Sequence, residues 1–581
     1  MKQNNMNSLS HGKRTGRWAA GCIRFAFRAI LCLCSLTSFA QEQGCYFYKK
    51  TYTKEVLPTF ADVSEKLPEP VMKEHPLWIE TYWKAWELAF GNLHTPTVFN
   101  GFVSPYFDAA FNNCIFLWDM SFITFFTGYG YPWVPAITSL DNFYAKQHPT
   151  GEICRQIYRH DGTDAQYINR YNEPLYSRYG YEAFFSPDKH QDDICEKTPV
   201  IYVGRDAPVP NPLVTLDGLN HPILAWAEWE NFRLTGNKTR LRQVYLPLVK
   251  YYGALQKYLR QGNGLYMTDW ASMDNATRNK YLKGGGTGID ISCEMALFAR
   301  CLAGMAAVLH KPDEALNYQA EADTLKKIIN ELMWDPATGF YYDLTLDERQ
   351  IKIKTVAAFW SLLAEVPSKA QAEQLVAQLN NPLTFGRKNK VPTLAADEAG
   401  YESLGGYWRG AVWAPTTTMI VAGLEKNGYG ELARQIALNH LNLVADVFKE
   451  TGTIWEAYAP DSATHAYLPG GKHAVKKDFV GWSGIGPVKF LLEYGVGLKP
   501  DAAASKLEWN LYASDDTGCN RYVFNDIHVN LLARQEKNGT REVTVESDRD
   551  FQLDIHYRGA RYSFPVRPGK QTFSVGKKRS R

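Results

Sequence analysis

Four short segments of the chain place tryptophan beside acidic or arginine side chains. They are FLWDMSF at residues 116–122, TDWASMDNATR at 268–278, YWRGAVW at 407–413 and TIWEAYAP at 453–460. Glycoside hydrolysis needs two carboxyl groups on opposite faces of the anomeric carbon, one to protonate the leaving oxygen and one to activate water or attack directly. Aromatic neighbours raise the pKa of one carboxyl group, and Arg or Trp donors hold hydroxyl groups. Together the segments indicate this chemistry, although a single Asp beside a Trp is more often a helix cap or a buried hydrogen-bonded acid.

The composition favours a folded protein with a carbohydrate partner. Aromatic residues make up 14% of the 581 residues, with 16 Trp, 34 Tyr and 29 Phe. They fill cores, and their faces also pack against the apolar faces of pyranose rings. The net charge of +3 comes from six basic residues within residues 1–40, which contain no acid, so the remainder is slightly acidic. A basic surface for nucleic acid is therefore not expected.

Residues 1–40 are typical of a secretory signal peptide. A basic start leads into the apolar residues 29–36 and then into Ser38-Phe39-Ala40 before Gln41. The apolar run is too short for a stable transmembrane anchor, and no later stretch is apolar enough to span a membrane. We expect cleavage after Ala40 and a periplasmic or secreted protein, with an amphipathic N-terminal helix as the alternative.

The cysteines indicate neither a structural zinc site nor a disulfide scaffold. Seven of the ten follow residue 40, and they form no CxxC or His/Cys ligand cluster. Cys154 with Cys195 is the one plausible disulfide. We expect no metal and no cofactor.

The elements that must position the four segments are mainly helices. From about residue 74 to residue 498, apolar residues recur at three- and four-residue spacing, and Gly, Asn or Pro separate the repeats. Paired antiparallel, about twelve helices would close an (α/α)6 toroid, although periodicity alone does not distinguish a toroid from an open solenoid. The predicted helices span residues 74–90, 118–128, 133–146, 219–234, 240–260, 290–309, 313–334, 355–364, 369–379, 411–427, 430–449 and 482–494.

Two regions depart from the helical pattern. Residues 150–212 are polar and rich in Tyr, Arg and Asp, which is typical of a lid or an inserted subdomain. Beyond residue 498 apolar residues alternate with polar ones, which predicts a small β-sandwich. The predicted organisation is a signal peptide at residues 1–40, a catalytic domain at 41–498 with the 150–212 insertion, and a β-sandwich domain at 499–581.

Taken in order, the motifs resemble those of the (α/α)6 hydrolases of glycoside hydrolase families 63 and 37, most of all the bacterial mannosylglycerate-hydrolase-like branch. The resemblance runs from about Trp78 to Leu498. It implies a closed toroid and an inverting glycosidase that cleaves an α-linked glycoside or short oligosaccharide, and the predicted signal peptide adds the expectation that this enzyme is exported. The matching sequences are Trp118-Asp119 with Phe122, Ser272-Met273-Asp274-Asn275, Tyr407-Trp408-Arg409-Gly410-Ala411-Val412-Trp413, Trp455-Glu456-Ala457-Tyr458 and Gly481-Trp482-Ser483.

The resemblance also assigns residue roles. Asp274 takes the role of general acid and Glu456 that of general base. For any single Trp the competing interpretation is core packing, and for Arg409 it is a structural ion pair. The substrate-binding residues implied are Trp118, Asp119, Trp270, Asn275, Arg278, Trp408, Arg409, Trp413, Trp455, Tyr458 and Trp482.

Two departures leave the substrate open. Asn220-His221-Pro222 stands where the family has a QPP-like helix start, and residues 269–272 differ from the acid and Gly that usually precede MDN. These positions line the sugar subsite, so the glycone need not be the family's usual glucose. The alternatives are an α-L-rhamnosidase or another glycone specificity on the same toroid and, from other classes, a toroid polysaccharide lyase or a glycan-binding protein. The last two would leave both carboxyl groups unused.

The assignment predicts a distance. An inverting pair must leave room for a water molecule, so the carboxyl groups of Asp274 and Glu456 should lie roughly 6.5–9.5 Å apart. A crystal structure of a complex with a substrate analogue would measure it. A separation of about 5 Å would indicate a retaining mechanism instead.

Overall fold

A computed structural model describes residues 46–54, 56–109, 113–165, 221–268, 273–282, 286–345 and 347–576. Contacts divide the chain into two units, residues 1–49 and residues 50–581. The first contributes the short helix Tyr46–Lys49, and everything below concerns the second. Trp270 and most of the 150–212 insertion lie outside the described residues.

Helices of ten or more residues account for much of the chain between residues 76 and 496. A further segment combines the 3-10 turn Val356–Phe359 with one α-helical turn, Trp360–Leu363. Most of the predicted helices are therefore present, with ends within a few residues of those expected. The long helices are α1 (Pro76–Phe90), α2 (Leu117–Thr127), α3 (Leu224–Thr235), α4 (Lys238–Leu259), α5 (Ile289–Val308), α6 (Pro312–Leu332), α7 (Lys369–Asn380), α8 (Ala414–Lys426), α9 (Gly430–Thr451) and the π-helical α10 (Gly486–Val496).

The helix predicted at residues 133–146 is wrong. This stretch contains a 3-10 turn, Ile137–Leu140, followed by the five-residue helix Asp141–Ala145. Pro135 accounts for the difference, because a proline lacks an amide donor and disfavours helical backbone in the residue before it. Apolar spacing continues through the stretch without a continuous helix.

The helices differ in how much of their surface is buried. On α5 nearly every side chain is buried, including the acidic Asp290 and Glu294. Its partner α6 buries only Ala322, Leu325 and Ile329. A helix buried all round lies in the interior, whereas one with a single apolar stripe covers it. By length and composition α5 could cross a membrane, but 78% of that stretch is buried within the protein, as in a core helix.

The interior helices pack in a regular order. Helix α2 contacts α3, α3 contacts α5, and α5 contacts Trp360–Leu363. That turn contacts α8, and α8 contacts the 3-10 turn Trp482–Ile485, which precedes α10 and returns to α2. The helices α1, α4, α6 and α9 pack against this set. Trp118 and Asp119 lie in the first turn of α2, and Trp413 is the N-terminal cap of α8. The motifs of Asp119 and Trp413 therefore lie at the N-terminal ends of interior helices, whereas those of Asp274 and Glu456 lie on connecting segments.

Beyond α10 the chain forms two sheets. One has five strands in the order β1-β4-β5-β6-β9, and the other has four in the order β2-β3-β7-β8, with β3 and β7 parallel. Strand β1 precedes every long helix, so the C-terminal sheet region includes a strand that the predicted boundary at residue 499 assigned to the helical domain. The strands are β1 (Glu69–Met72), β2 (Leu498–Asp501), β3 (Lys506–Asn510), β4 (Thr517–Phe524), β5 (Ile527–Ala533), β6 (Thr540–Ser547), β7 (Phe551–Tyr557), β8 (Ala560–Val566) and β9 (Gly569–Gly576).

His440 of α9, whose ring packs against Phe490 of α10, makes the free energy of unfolding depend on pH. Burial lowers the pKa of His440 to about 4, so the folded state keeps it neutral while the unfolded state takes up a proton below about pH 6.5. This residue therefore lowers the free energy of unfolding as pH falls from about 6.5 to about 4, by about 3 kcal/mol. In urea titrations, His440→Gln should lose less stability over this range than the wild type. His473→Gln, at an exposed histidine, is the control, and equal losses for wild type and His440→Gln would contradict the prediction.

Candidate active site

Asp119 lies at the start of α2, in a position fixed by a short ladder. Cys114–Phe116 pairs with Gln156–Tyr158, and the amide of Leu117 donates to the carbonyl of Arg155. The described start of the 150–212 insertion therefore lies beside this helix end. Burial raises the pKa of Asp119 to about 7; the positive charge of Arg155 opposes the rise, and the negative charge of Glu456 adds to it. The predicted hydroxyl binder and the predicted base thus lie close enough for their charges to interact.

Glu456 is a buried carboxylate held by two hydrogen bonds. The hydroxyl of Tyr407 donates to its Oε1 at 3.1 Å, and the amide of Lys476 donates to its Oε2 at 3.1 Å. Burial raises the pKa of Glu456, and these two hydrogen bonds counteract the rise. Both oxygen atoms are therefore fixed in direction, as positioned general bases require.

Tyr407 lies near the candidate carboxyl groups, and the sequence analysis did not assign it a role. Its backbone is left-handed, with φ 62°, and it follows Gly406, with φ 52°. A Cβ at Gly406 would lie 2.6 Å from the side chain of Glu402, so this turn requires glycine there. The pKa of Tyr407 is raised well above its usual value by burial and then by the negative charges of Glu456, Asp274 and Asp119. The phenol thus contacts Glu456 and lies close enough to Asp274 and Asp119 for their charges to act on it.

Asn275 fixes the loop of Asp274 to the same turn. Its side-chain amide donates to the carbonyl of Gly406 at 3.0 Å, and its side-chain oxygen accepts from the amide of Trp408 at 2.9 Å. Arg409 Nε donates to the main-chain carbonyl of Asn275 at 3.3 Å. Asn275 and Arg409, both predicted to bind substrate, therefore also hold the Asp274 loop against the Tyr407 turn.

Arg278 has a different role from the one predicted. It is fully buried, and its guanidinium binds the carboxylates of Asp343 and Asp290. A side chain enclosed in this way does not reach a substrate. It anchors the loop that carries Asp274, since Asp290 belongs to α5 and Asp343 follows α6.

Four predicted tryptophans form one aromatic cluster. Trp408 stacks on Trp413 with ring centroids 4.4 Å apart, and Trp118 lies 6.2 Å from Trp408 and 6.0 Å from Trp482. Trp413 is fully buried and donates to the carbonyl of Tyr407, while Trp482 donates to the carbonyl of Glu456. The latter two thus support catalytic segments from behind. Trp118 Nε1 is a buried donor with no acceptor among the described residues.

Trp455 and Tyr458 shape the segment of the base. Tyr458 is buried, and its hydroxyl accepts a hydrogen bond from the amide of Trp455 at 3.2 Å. The half-buried Trp455 ring lies on the ring of His465, with centroids 3.8 Å apart. Tyr458 is therefore a structural residue, whereas Trp455 keeps part of its surface exposed beside the base.

A buried hydrogen bond between a histidine and a carboxyl group lies next to the aromatic cluster. His221 Nδ1 lies 2.7 Å from Glu294 Oε1, and the imidazole ring is 5.4 Å from that of Trp118. His221 has a left-handed backbone, with φ 55°. The sequence indicated this position as a departure from the QPP-like start, but Glu294 carried no signal because it lies within an apolar helical repeat.

The predictions about metal binding and about the disulfide of Cys154 can be compared with the described residues. Among the described residues, no group of three His, Cys, Asp or Glu side chains is placed to hold a metal ion. Cys154 is a buried free thiol that donates to the carbonyl of Gln156. Its proposed disulfide partner Cys195 lies outside the described residues.

Comparison with known proteins identifies the family. The mannosylglycerate hydrolase MGH1-like glycoside hydrolase domain matches residues 164–479, more than half of the chain. The mannosylglycerate hydrolase of Rubrobacter radiotolerans is 32% identical over 142 residues, which cover 24% of this chain and 31% of that protein. The alignment thus spans about a third of that relative.

Two solved structures share the fold at low sequence identity. The GH63 mannosylglycerate hydrolase from Thermus thermophilus, in complex with glucose, superposes with a TM-score of 0.50 at 18% identity, over 70% of this chain and 98% of that one. The GH78 rhamnosidase of a Bacillus species superposes with a TM-score of 0.56 at 13% identity, over 84% of this chain and 43% of that one. With motifs, fold and family match in agreement, the chain belongs to the MGH1-like family of glycoside hydrolases and is a glycosidase.

Proposed function

We propose that the protein is an exported inverting glycosidase that cleaves an α-linked glycoside, with Asp274 as general acid and Glu456 as general base. The observation that carries the proposal is the environment of Tyr407, whose phenol experiences the charges of Asp274, Glu456 and Asp119 together. A glycosidase of this kind needs two carboxyl groups in one pocket on either side of a sugar ring. In this chain we assign the two carboxyl groups to Asp274 and Glu456, which belong to segments far apart in the sequence.

The environments of the two carboxyl groups support the assignment of roles. Glu456 accepts two hydrogen bonds, which favour its charged form, while burial makes it a stronger base than an exposed glutamate. Asp274 is only half-buried and lies on a loop, where a leaving group can reach it. In the reaction Glu456 takes a proton from water as the water attacks the anomeric carbon, and Asp274 gives its proton to the departing oxygen.

Asp119 and the aromatic cluster are proposed to hold the glycone. A carboxylate accepts hydrogen bonds from two hydroxyl groups, and Trp faces pack on the sugar ring. The Nε1 of Trp118, for which the described part of the chain offers no acceptor, is a donor that a hydroxyl group would satisfy. The described part of the 150–212 insertion lies beside Asp119, which supports a lid role for this segment.

We also propose a closed toroid with a C-terminal β-sandwich and export of the protein from the cytoplasm. The packing order of α2, α3, α5, Trp360–Leu363, α8 and α10 supports a closed (α/α)6 toroid, and the two sheets beyond α10 support a β-sandwich. Residues 1–40 are proposed as the signal for export, because their basic start and apolar run match such signals.

For the glycone, mannose and glucose are the first candidates, because a relative is named a mannosylglycerate hydrolase and glucose is the glycone that the family resemblance implies. His221 in place of the family's glutamine leaves rhamnose as the second candidate. Activated α-glycosides of glucose, mannose, galactose and rhamnose, followed by mannosylglycerate and natural disaccharides, would separate these. Thin-layer analysis of oligosaccharides would distinguish a hydrolase from a lyase or a binding protein.

The two carboxyl roles can be separated by the leaving group. Asp274→Asn should nearly abolish hydrolysis of a natural substrate but spare a glycosyl fluoride, because fluoride departs with little protonation. Glu456→Gln should reduce hydrolysis of both substrates by about 10²–10⁴-fold, because every substrate needs the water deprotonated. Both variants replace a carboxyl by an amide of similar shape, so each is the control for the other.

The stereochemistry gives an independent measurement. NMR of the wild-type reaction should show the β-anomer first from an α-linked substrate, before mutarotation. Normal hydrolysis of the natural substrate by Asp274→Asn, or initial release of the α-anomer, would contradict the proposed mechanism.

Tyr407 should set the acid limb of the pH profile. Tyr407→Phe removes a hydrogen bond that stabilises the Glu456 carboxylate, so the pKa of Glu456 rises further. As the pH is lowered, Glu456 therefore becomes protonated, and inactive as a base, at a higher pH than in the wild type. The value of kcat/KM at pH 7 should fall by about tenfold. The control is Tyr245→Phe, which removes a similar hydrogen bond to Glu314, 2.8 Å long, between α4 and α6. An unshifted acid limb in Tyr407→Phe would show that the phenol does not act on the base.

A further inference from the structure

A second cavity lies at the opposite end of the interior helices from the candidate active site. It has a volume of about 810 Å³ and is lined by α2, α3, α5, α8 and α10, mostly along their C-terminal parts, by the N-terminal part of α6, and by Lys499 and Pro500 of β2. None of the described residues of the four segments at 116–122, 268–278, 407–413 and 453–460 lines it. The cavity is therefore distinct from the pocket of Asp274 and Glu456.

The wall of this cavity carries an exposed aromatic platform. Trp229 on α3 is only half-buried, and its ring lies directly on the backbone of α5 at Gly304. A Cβ at Gly304 would be 2.9–3.2 Å from three carbon atoms of the indole, so this close approach of the ring to α5 depends on glycine. Phe232 flanks the ring, with centroids 5.5 Å apart. The indole is thus held in a fixed orientation with part of its surface available to a ligand.

The polar side chains around the platform favour a neutral ligand. Four glutamates and five basic side chains line the cavity, and they pair with one another, for example Arg233 with Glu230 at 3.2 Å and Lys426 with Glu365 at 3.5 Å. The charges therefore nearly cancel, while both donors and acceptors line the cavity. Hydroxyl groups both donate and accept, and pyranose C–H faces pack on tryptophan. The volume is also in the range of small-molecule sites.

We propose that this cavity is a second carbohydrate-binding site, which takes a neutral mono- or disaccharide on the face of Trp229. The site is independent of hydrolysis: none of its lining residues belongs to the catalytic segments. Because Lys499 and Pro500 form part of the wall, a bound sugar would also contact the C-terminal sheet region. The sugar would stabilise the junction of that region with the helices, since a ligand that binds only the folded state raises its stability.

The test reads both sites in one titration. The full chain is labelled with 5-fluorotryptophan, and ¹⁹F NMR is recorded while D-glucose, D-mannose or maltose is added. Trp229→Phe and Trp408→Phe assign one resonance to each site by its disappearance. We expect the Trp229 resonance to shift saturably with at least one sugar. Gly304→Ala displaces the indole from its position against α5. It should weaken the sugar affinity at this site by about tenfold or more, since an aromatic contact of this kind contributes about that factor to affinity.

Two controls distinguish an effect on the Trp229 ring from a general effect of adding a methyl group to a helix. Gly253→Ala adds a methyl group to α4 in open space and should leave the sugar affinity at Trp229 unchanged. Gly304→Ala should keep the wild-type kcat on the hydrolysed substrate to within about twofold. Should Trp229→Phe fail to fold, a crystal of the wild type soaked in the same sugars would show sugar density on the Trp229 ring.

Three results would overturn the proposal. One is movement of the Trp408 resonance alone, which would place sugar only in the catalytic pocket. Another is a shift of the Trp229 resonance with inorganic phosphate but with none of the sugars, which would make the cavity an anion site. The third is an unchanged affinity in Gly304→Ala. A protein that binds sugar at Trp229 yet hydrolyses no glycoside would uphold this inference while overturning the proposed function.

Discussion

The shared direction of the interior helices is the constraint on which the active site depends. Asp119 lies in the first turn of α2, and Trp413 is the N-terminal cap of α8. His221 lies three residues before α3, and the 3-10 turn that begins at Trp482 leads into α10. The first turn of a helix presents unpaired amides and a partial positive charge, which stabilise nearby anions. Of the three candidate carboxyl groups, Asp119 therefore lies where the helix backbone favours negative charge, while Asp274 and Glu456 lie on connecting segments. The opposite ends of the same helices line the second cavity, where basic side chains such as Arg233 and Lys426 lie in last helical turns.

Burial opposes that stabilisation, and the site shows which effect wins. The pKa values of Asp119 and Glu456 are both raised with burial as the largest cause, so desolvation outweighs the hydrogen bonds and nearby cations. Such carboxylates need a rigid frame, because relaxation would bring in water. Arg278 supplies part of that frame through its buried pairs with Asp290 and Asp343. Removing one member of a buried ion cluster typically costs about 3–5 kcal/mol, enough to release the loop of Asp274.

Local sequence patterns predicted the helices and the motifs, because spacing and residue type are local properties. They did not predict features that arise from distant contacts. The pairing of His221 with Glu294 joins positions 73 residues apart, and strand β1 pairs with a strand near the other end of the chain. Arg278 resembled a sugar binder because it follows the motif of Asp274, whereas its two buried partners were not recognisable from spacing. Tyr407 stood within a matched motif, but only its left-handed backbone directs its hydroxyl toward Glu456.

The closeness of Asp119 to Glu456 gives the proposed mechanism a further consequence. Burial raises the pKa of Asp119 to about 7, so Asp119 takes up a proton in the ligand-free enzyme far more readily than an exposed aspartate does. A glycone hydroxyl that donates to Asp119 favours its charged form, and that negative charge in turn makes the neighbouring Glu456 a stronger base. Binding and basicity are then coupled, and such coupling is reciprocal. A sugar that lacks the hydroxyl group would lose affinity and would also meet a weaker base, so selectivity for the glycone would be expressed in kcat as well as in KM.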